Sequence, residues 1–364
     1  MTICTDNPDN VAGSSTRSPA VTVVIPAYNS AQYIGDTLDS LKDQNFTDYE
    51  VIVVNDGSDD REELERILNA HPLRVSYICQ ENKGVSAARN AAIRAGRGEF
   101  YAQLDADDQW TPDYLEVQLG ILKNNPDVSL VYPNATIIGE GVTYGLEFMK
   151  VSPSEGDVTF ESLVRQKCVV MTCVTARMSA IREAGMFDES IRSCEDFDLW
   201  LRIAKNGGRI VYHRDRLVLY RRHEGSLSSD RVWMTRNLLR VFEKAAATLQ
   251  LTTVEREVLN EQINDQRAML NLFEGKHALT SGNATAALTS FRKANEHLRR
   301  PKLSAVIFLL RYAPFLVSWV FAARERLLAK QPDHQLTGID KPRTPSSSES
   351  EPNPNVLTER TDAT

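Results

Sequence analysis

The stretch Phe100-Tyr101-Ala102-Gln103-Leu104-Asp105-Ala106-Asp107-Asp108 decides the fold. An apolar run this short reads as a buried strand, and the carboxylates behind it lie at the carboxyl edge of a sheet, where open α/β folds bind ligands. Carboxylates so close together repel unless a cation sits between them. Hard oxygen donors of this kind suit Mg²⁺ or Mn²⁺, which commonly arrive with a diphosphate. A second acidic cluster, Glu195-Asp196-Phe197-Asp198, opens a helical pattern much later in the chain. One cluster to hold a metal-diphosphate and another to supply a base is the outline of a group-transfer enzyme.

Working outward, Val21 to Ile25 is a continuous β-branched run closed by Pro26, as a buried parallel strand requires. Ile34, Leu38 and Leu41 then recur at helical spacing. Val51 to Val54 is a second buried strand, followed by the turn residues Asn55-Asp56-Gly57-Ser58. Leu64, Ile67 and Leu68 mark a helix, Val75 to Cys79 a third strand, and Asn82-Lys83-Gly84 leads into an Ala-rich helix over Val85 to Ala95. This alternation predicts an α/β fold with a mostly parallel sheet flanked by helices. In it Asp56, Lys83, Arg89 and Asp105 converge on one crevice. Further strands are expected at Val128–Tyr132, Val169–Val174 and Leu217–Leu219, and a helix at Asp196–Lys205.

The chain has 364 residues, 42% hydrophobic and 25% charged, with a formal net charge of -7. That balance is ordinary for a soluble globular protein and excludes a nucleic-acid partner argued from charge. Five cysteines (Cys4, Cys79, Cys168, Cys173 and Cys194) fit no metal spacing and are expected as reduced thiols. The polar N-terminus carries no apolar signal core, so a cytoplasmic location is expected.

Taken in order, Val23-Val24-Ile25-Pro26-Ala27-Tyr28-Asn29, Val53-Val54-Asn55-Asp56-Gly57-Ser58, Gly84 through Arg89-Asn90, Leu104 through Asp108, and Glu195-Asp196 resemble the family 2 inverting glycosyltransferases of the GT-A fold. The likeness covers about residues 20–225. It implies a nucleotide-sugar donor, a Mn²⁺ or Mg²⁺ cofactor, and a glycan or lipid-linked glycan acceptor in cell-envelope or exopolysaccharide assembly. It places Asp56 on the nucleobase and Asp105 on the ribose, with Asp107 on the metal. Pro26, Ala27, Tyr28, Asn29 and Ala106 line the nucleotide. Lys83 and Arg89 lie beside the diphosphate or sugar, His223 near the metal or diphosphate, and Asp196 is the catalytic base. A base at a helix start is expected to be held ionised by the helix dipole. Processive members carry a Gln-x-x-Arg-Trp motif and several membrane spans; neither is found, which favours addition of one sugar per encounter.

Each residue also has a plainer reading. Asp56 before Gly57 is good turn chemistry. Asp105 and Asp107 can cap the next helix, Asp196 can simply complement a helix dipole, and His223 can be a surface histidine. An alternative function follows: a catalytically silent nucleotide-binding scaffold acting through its C-terminal helices. Keeping Asp107 together with Asp196 argues for the enzyme.

Residues 1–19 read as a disordered N-terminus, 20–228 as the GT-A domain, 229–300 as an all-helical extension and 331–364 as a disordered tail. Within the extension, Glu274 to Leu298 resembles one tetratricopeptide-like hairpin, though an ordinary helix pair explains it as well. Residues 301–330 hold an apolar helix, Leu303 to Ala323, long enough at about 20 residues to span a bilayer. Arg311 and Pro314 interrupt it, and Ser304, Arg311 and Ser318 form a polar stripe. Basic residues flank both ends: Arg299, Arg300 and Lys302 before, Arg324, Arg326 and Lys330 after. This pattern suits peripheral attachment to the inner face of an anionic membrane. Burial in the C-terminal bundle is the competing reading.

Overall fold

A computed structural model describes residues 17–140, 143–223, 230–313, 315 and 356–357. The chain divides into two compact units, Met1–Gly139 with Gly145–Arg221 and Glu351–Thr364, and Glu140–Tyr144 with Arg222–Ser350.

In the first unit the elements run β1 (Val21–Ala27), α1 (Ala31–Lys42), β2 (Tyr49–Asp56), α2 (Arg61–Ala70), β3 (Ser76–Gln80), α3 (Val85–Ala95), β4 (Phe100–Gln103), β5 (Gln109–Trp110) and α4 (Tyr114–Asn124). They continue through β6 (Val128–Gly139), α5 (Phe148–Val151), α6 (Phe160–Val164), β7 (Thr175–Arg177), α7 (Met178–Glu183), α8 (Glu195–Lys205) and β8 (Arg209–Arg222). Together they form an α/β, GT-A-like layer structure. The sheet order is β3-β2-β1-β4-β7-β6-β8-β5. β1 pairs in parallel with β2 and β4, and β2 with β3; β4–β7, β6–β7 and β5–β8 are antiparallel.

The central strands are apolar because they are covered on both faces: Val23, Val24, Ile25, Val53 and Val54 are all buried. Helix α3 packs on β1 and β2 with a face of Ala87, Ala88, Ala91 and Ala92, small enough for close approach. After β3 the chain returns to the other side of β1 as β4, and this reversal of strand order is where an α/β sheet opens a crevice. Register sets the strand ends level. Ala27 lies opposite Asn55 and Val24 opposite Gln103, so residues 28–29, 56–58 and 105–108 leave the sheet at one edge.

The strand expected over Val169–Val174 forms later, at Thr175–Arg177. The apolar residues Met171, Cys173 and Val174 are buried as the pattern requires. But the Ser154 hydroxyl takes up Val169's backbone N–H and C=O, at 3.3 Å each, in place of a ladder partner. The Leu217–Leu219 strand is the end of the much longer β8.

The second unit is helical: α9 (Arg231–Thr248), α10 (Thr253–Thr280), α11 (Ala284–Leu298) and α12 (Pro301–Tyr312). A reciprocal capping box between Thr252 and Glu255 starts α10, and Asn283 caps α11. Leu272, Leu279, Ala287, Phe291, Ala294, Leu303 and Leu310 make its core. Phe291 lies flat against α10 where Gly275 has no side chain; a Cβ there would meet the ring at 2.5 Å.

No helix among the described residues is long and apolar enough to cross a membrane. The apolar segment expected at 301–330 is α12 as far as Tyr312, and nearly all of its remainder lies outside the described residues. So does the tail expected at 331–364, except Val356–Leu357, a short β9 beside Tyr212 and His213 of β8. Residues 1–16 of the expected N-terminal segment are also outside. Cys79, Cys168, Cys173 and Cys194 are free thiols.

Phe291→Ala should destabilise the helical unit by about 3–5 kcal/mol, the usual cost of emptying a buried aromatic site. Urea denaturation followed by circular dichroism measures it, and an unchanged midpoint would show that the Phe291–Gly275 contact does not hold the hairpin.

Candidate active site

The crevice is built on Asp56, the last residue of β2. Its carboxylate is buried and accepts three hydrogen bonds, from Gln80 Nε2 at 2.7 Å, the Lys83 N–H at 2.8 Å and the Gly84 N–H at 2.7 Å. Asp56 therefore sets the loop that feeds α3. Gly57 and Gly84 flank this contact with φ of 72° and 92°. A Cβ at Gly57 would lie 2.6 Å from the Asn82 backbone nitrogen, and one at Gly84 2.9 Å from Arg192 Nη1. Both positions thus require glycine on conformational and steric grounds.

One turn into α3, Arg89 joins the two acidic clusters. It is 3% exposed. Its Nη2 donates to Asp105 at 2.8 Å and its Nη1 to Glu195 at 2.6 Å, while the guanidinium stands 5.3 Å from the Phe187 ring centroid. The neighbouring Asn90 side chain donates to the Phe187 carbonyl at 2.8 Å and accepts from the Phe187 N–H at 3.0 Å; the Ser86 hydroxyl reaches the Ile191 carbonyl. Three residues of α3 thus fix the segment that leads into α8. The structure buries Arg89 with its guanidinium bridging the two acidic clusters.

The Asp105–Asp108 turn is held from both sides. The Thr37 hydroxyl of α1 lies 2.9 Å from the Ala106 carbonyl and 2.8 Å from that of Asp108. Arg221 of β8 donates its Nε to the Asp107 carbonyl at 2.9 Å, its backbone N–H to Asp108 Oδ1 at 2.8 Å, and its Nη2 to Asp36 at 3.2 Å. Its guanidinium also stacks over Tyr33. The carboxylates differ in exposure: Asp105 and Asp107 are half-buried, whereas Asp108 is fully buried with Cys173 Sγ 3.5 Å from its Oδ2. Burial, then the charges of Asp107 and Asp105, push Asp108 well above the usual carboxylate range. Asp108 is thus an internal support of the turn, whereas Asp105 and Asp107 keep part of their surface at the crevice edge.

Asp196 sits in the first turn of α8, half-buried, its Oδ1 accepting its neighbour Phe197's N–H at 2.7 Å. Burial and then the charge of Glu195 push its pKa up, against the opposing charge of Arg89, to about 7. The helix dipole was expected to keep Asp196 ionised. Desolvation and a flanking carboxylate outweigh it, since the dipole acts only at the level of about 0.3–1 kcal/mol on an exposed group. Cys194, the residue before this turn, is left-handed at φ 62°. Trp200 is fully buried with its ring edge-on to Phe187, so it packs beneath the acidic turn.

Of the other expected residues, Pro26 is half-buried, Ala27 and Ala106 are buried, and Tyr28, Asn29 and Lys83 are exposed. Tyr28 stands out at 52% exposed at the end of β1. Asn29, left-handed at φ 49°, is held by Ser58 and Asp59. His223 follows the last residue of β8 and belongs to the second unit. Among the described residues no three His, Cys, Asp or Glu side chains are grouped as a complete metal site. Thr37 and Arg221 are supporting residues that sequence reading passed over, and Glu195, read as part of the acidic cluster, proves to be the partner of Arg89. For Arg221 a signal existed in Tyr220-Arg221-Arg222-His223. Which cation turns to Asp107 is set by the antiparallel register of β5 on β8, with Gln109 opposite Leu219; two steps on, Arg221 faces Asp107.

The profile described as Glycosyl transferase family 2 matches residues 22–184. An uncharacterized glycosyltransferase of Rickettsia typhi is 30% identical over 222 residues, covering 59% of this chain and 68% of that protein. The chain belongs to glycosyltransferase family 2. This glycosyltransferase is also 34% identical to the chondroitin synthase of Escherichia coli over 207 residues, 54% of its own length but only 29% of the synthase. TuaG of Bacillus subtilis, assigned to teichuronic acid biosynthesis, shares 28% over 216 residues, 58% of this chain and 83% of TuaG. Among solved structures, Staphylococcus aureus TarS 1-349 in complex with UDP-GlcNAc superposes with a TM-score of 0.57 at 17% identity, covering 84% of this chain and 91% of that one. The mannosyltransferase PcManGT of Pyrobaculum calidifontis, in complex with GDP-Man and Mn²⁺, gives 0.54 at 22% identity over 90% and 92%. These likenesses to solved structures show the fold.

Arg89→Ala should cost about 3–5 kcal/mol, because it leaves the buried Glu195 and the half-buried Asp105 without their cation. Arg66→Ala, which breaks the exposed pair with Glu63, should leave the midpoint nearly unchanged, because solvent screens that pair. Equal losses for the two variants in urea denaturation would refute the structural role given to Arg89.

Proposed function

We propose that this family 2 glycosyltransferase moves one sugar from a nucleotide-diphospho-sugar, a UDP-sugar by the habit of the family, to a hydroxyl of a glycan or lipid-linked glycan, with inversion. The observation that carries the reading is Arg89 tying Asp105 to Glu195, the residue next to Asp196, so that a donor edge and a basic group face one crevice. The nucleotide sugars bound by TarS and PcManGT support the donor class. TuaG and the chondroitin synthase support a role in polysaccharide assembly with a glycan acceptor.

In this reading the exposed Tyr28 ring and Asn29 take the nucleobase with Asp56, Asp105 takes the ribose, and Lys83 approaches the diphosphate. The donor set fits a hard divalent cation. Asp105 and Asp107 would offer it carboxylate oxygens at the crevice edge. Such a cation would supply positive charge to the leaving group. Asp107 would be its principal protein ligand.

The acceptor hydroxyl attacks the anomeric carbon from the face opposite the diphosphate. As the new C–O bond forms, the hydroxyl proton passes to Asp196, and the bond to the diphosphate breaks with its electron pair leaving on the nucleotide. One displacement with one base inverts the anomeric centre. A base whose pKa lies near 7 is well matched to this task at neutral pH.

The rate should therefore rise with pH and level off above about 7, since Asp196 works only when ionised. Asp196→Asn should abolish transfer by about 10²–10⁴-fold while donor binding persists; a fully active Asp196→Asn enzyme would refute the assignment. In nucleoside-diphosphate release assays over UDP-, GDP- and dTDP-sugars, EDTA and Asp107→Ala should each remove turnover. Turnover unaffected by both would exclude the cation role.

A further inference from the structure

Half of the exposed large hydrophobic side chains among the described residues fall within eight positions at the end of the helical unit: Phe308 at 62%, Leu309 at 41%, Tyr312 at 67% and Phe315 at 83%. The opposite face of α12 is accounted for. Leu303 and Leu310, seven residues apart, are buried in the core with Phe291 and Ala287, and Val306 and Ile307 pack beside them. One helix therefore carries two apolar faces, and only one of them contributes to the fold. On the outer face Phe308 and Tyr312 stand at i and i+4 with their rings 4.8 Å apart, and the exposed Phe315 follows just past the helix end.

The charge around this face is of one dominant sign. Arg292, Lys293, Arg299, Lys302 and Arg311 are exposed on α11, α12 and the turn between them, with Glu296 the exposed carboxylate of the same stretch. Beyond the described residues, the sequence adds Trp319 and Phe321, then Arg324, Arg326 and Lys330. Aromatic side chains on an outward helix face with lysine and arginine around them match the layered chemistry of an anionic lipid surface, acyl chains beneath phosphate. A protein partner would be expected to bury such a face with less uniform charge at its rim.

We propose that the outer face of α12, centred on Phe308 and Tyr312 and extended by the exposed Phe315 just past its end, docks this chain on an anionic lipid surface, while Leu303 and Leu310 keep the helix attached to its own unit. The docking is peripheral and electrostatically assisted, and it stands whether or not the transfer reaction assigned above is correct.

The test uses the full chain with phosphatidylcholine vesicles, with and without phosphatidylglycerol, in a sedimentation assay. Wild-type protein should sediment with the anionic vesicles and lose that binding as salt is raised. Phe308→Ser/Tyr312→Ser/Phe315→Ser should lower binding by about tenfold or more, with the thermal unfolding of the helical unit unchanged because all three side chains point outward. Lys302→Glu/Arg311→Glu should lower it on anionic vesicles alone. Failure of the wild type to bind, or equal binding of the triple serine variant, overturns the proposal. So does a dimer in light scattering that the same serine substitutions dissociate, which would assign the face to a second copy.

Discussion

A single buried guanidinium holds the catalytic unit in working order. Arg89 touches both the carboxyl edge of the sheet and the start of α8, through two charge-assisted hydrogen bonds made by a buried guanidinium. Carboxylates gathered for ligand binding are mutually repulsive, and without a fixed cation the fold would relieve that strain by protonating or moving them. Arginine suits the position because its planar fork can face two acceptors at once and stays charged when buried. The arrangement is not fully satisfied, since Arg89 Nε has no partner, so the ion pairs outweigh one unmade hydrogen bond.

Seen from this constraint, the rest of the crevice divides into groups that shape it and groups that face it. Asp56, Asp108, Thr37, Asn90 and Arg221 use their hydrogen bonds on backbone and loop. Asp105, Asp107, Asp196 and Tyr28 retain surface. Carboxylates close in sequence thereby acquire different characters. Asp108 is driven toward its neutral form by burial, and Asp196 is raised to about 7. Sequence adjacency says nothing of this; burial and the distance to Arg89 decide it.

Much of the sheet was legible because its signals are local. The β-branched runs at Val21 and Val51, the left-handed glycines at 57 and 84, and the carboxylates after Leu104 each announce their own structure, and α3 spans the residues its alanine pattern indicates. What stayed hidden depends on contacts between distant parts. The apolar run 169–174 reports burial truthfully but cannot say that a serine at 154 takes the place of a strand partner. Thr37 looks like any mid-helix threonine until the Ala106 carbonyl is beside it. Arg89 carries a motif, yet its burial follows from Glu195, more than a hundred residues away. The apolar helix at the C-terminus read as either core or membrane-facing; α12 has one apolar face in the core and another exposed, which a hydropathy average merges into one.

The three hydrogen bonds that Asp56 accepts change what its loss would mean. Any ligand bond to this carboxylate comes on top of those that seat the Lys83–Gly84 loop and, through it, the first turn of α3. A variant at this position disturbs the anchor of the helix that bears Arg89 as well as a contact in the crevice. Failure of such a variant to turn over a donor is thus a statement about architecture before it is one about recognition. Base preference is better read from Tyr28, whose ring carries little of the scaffold.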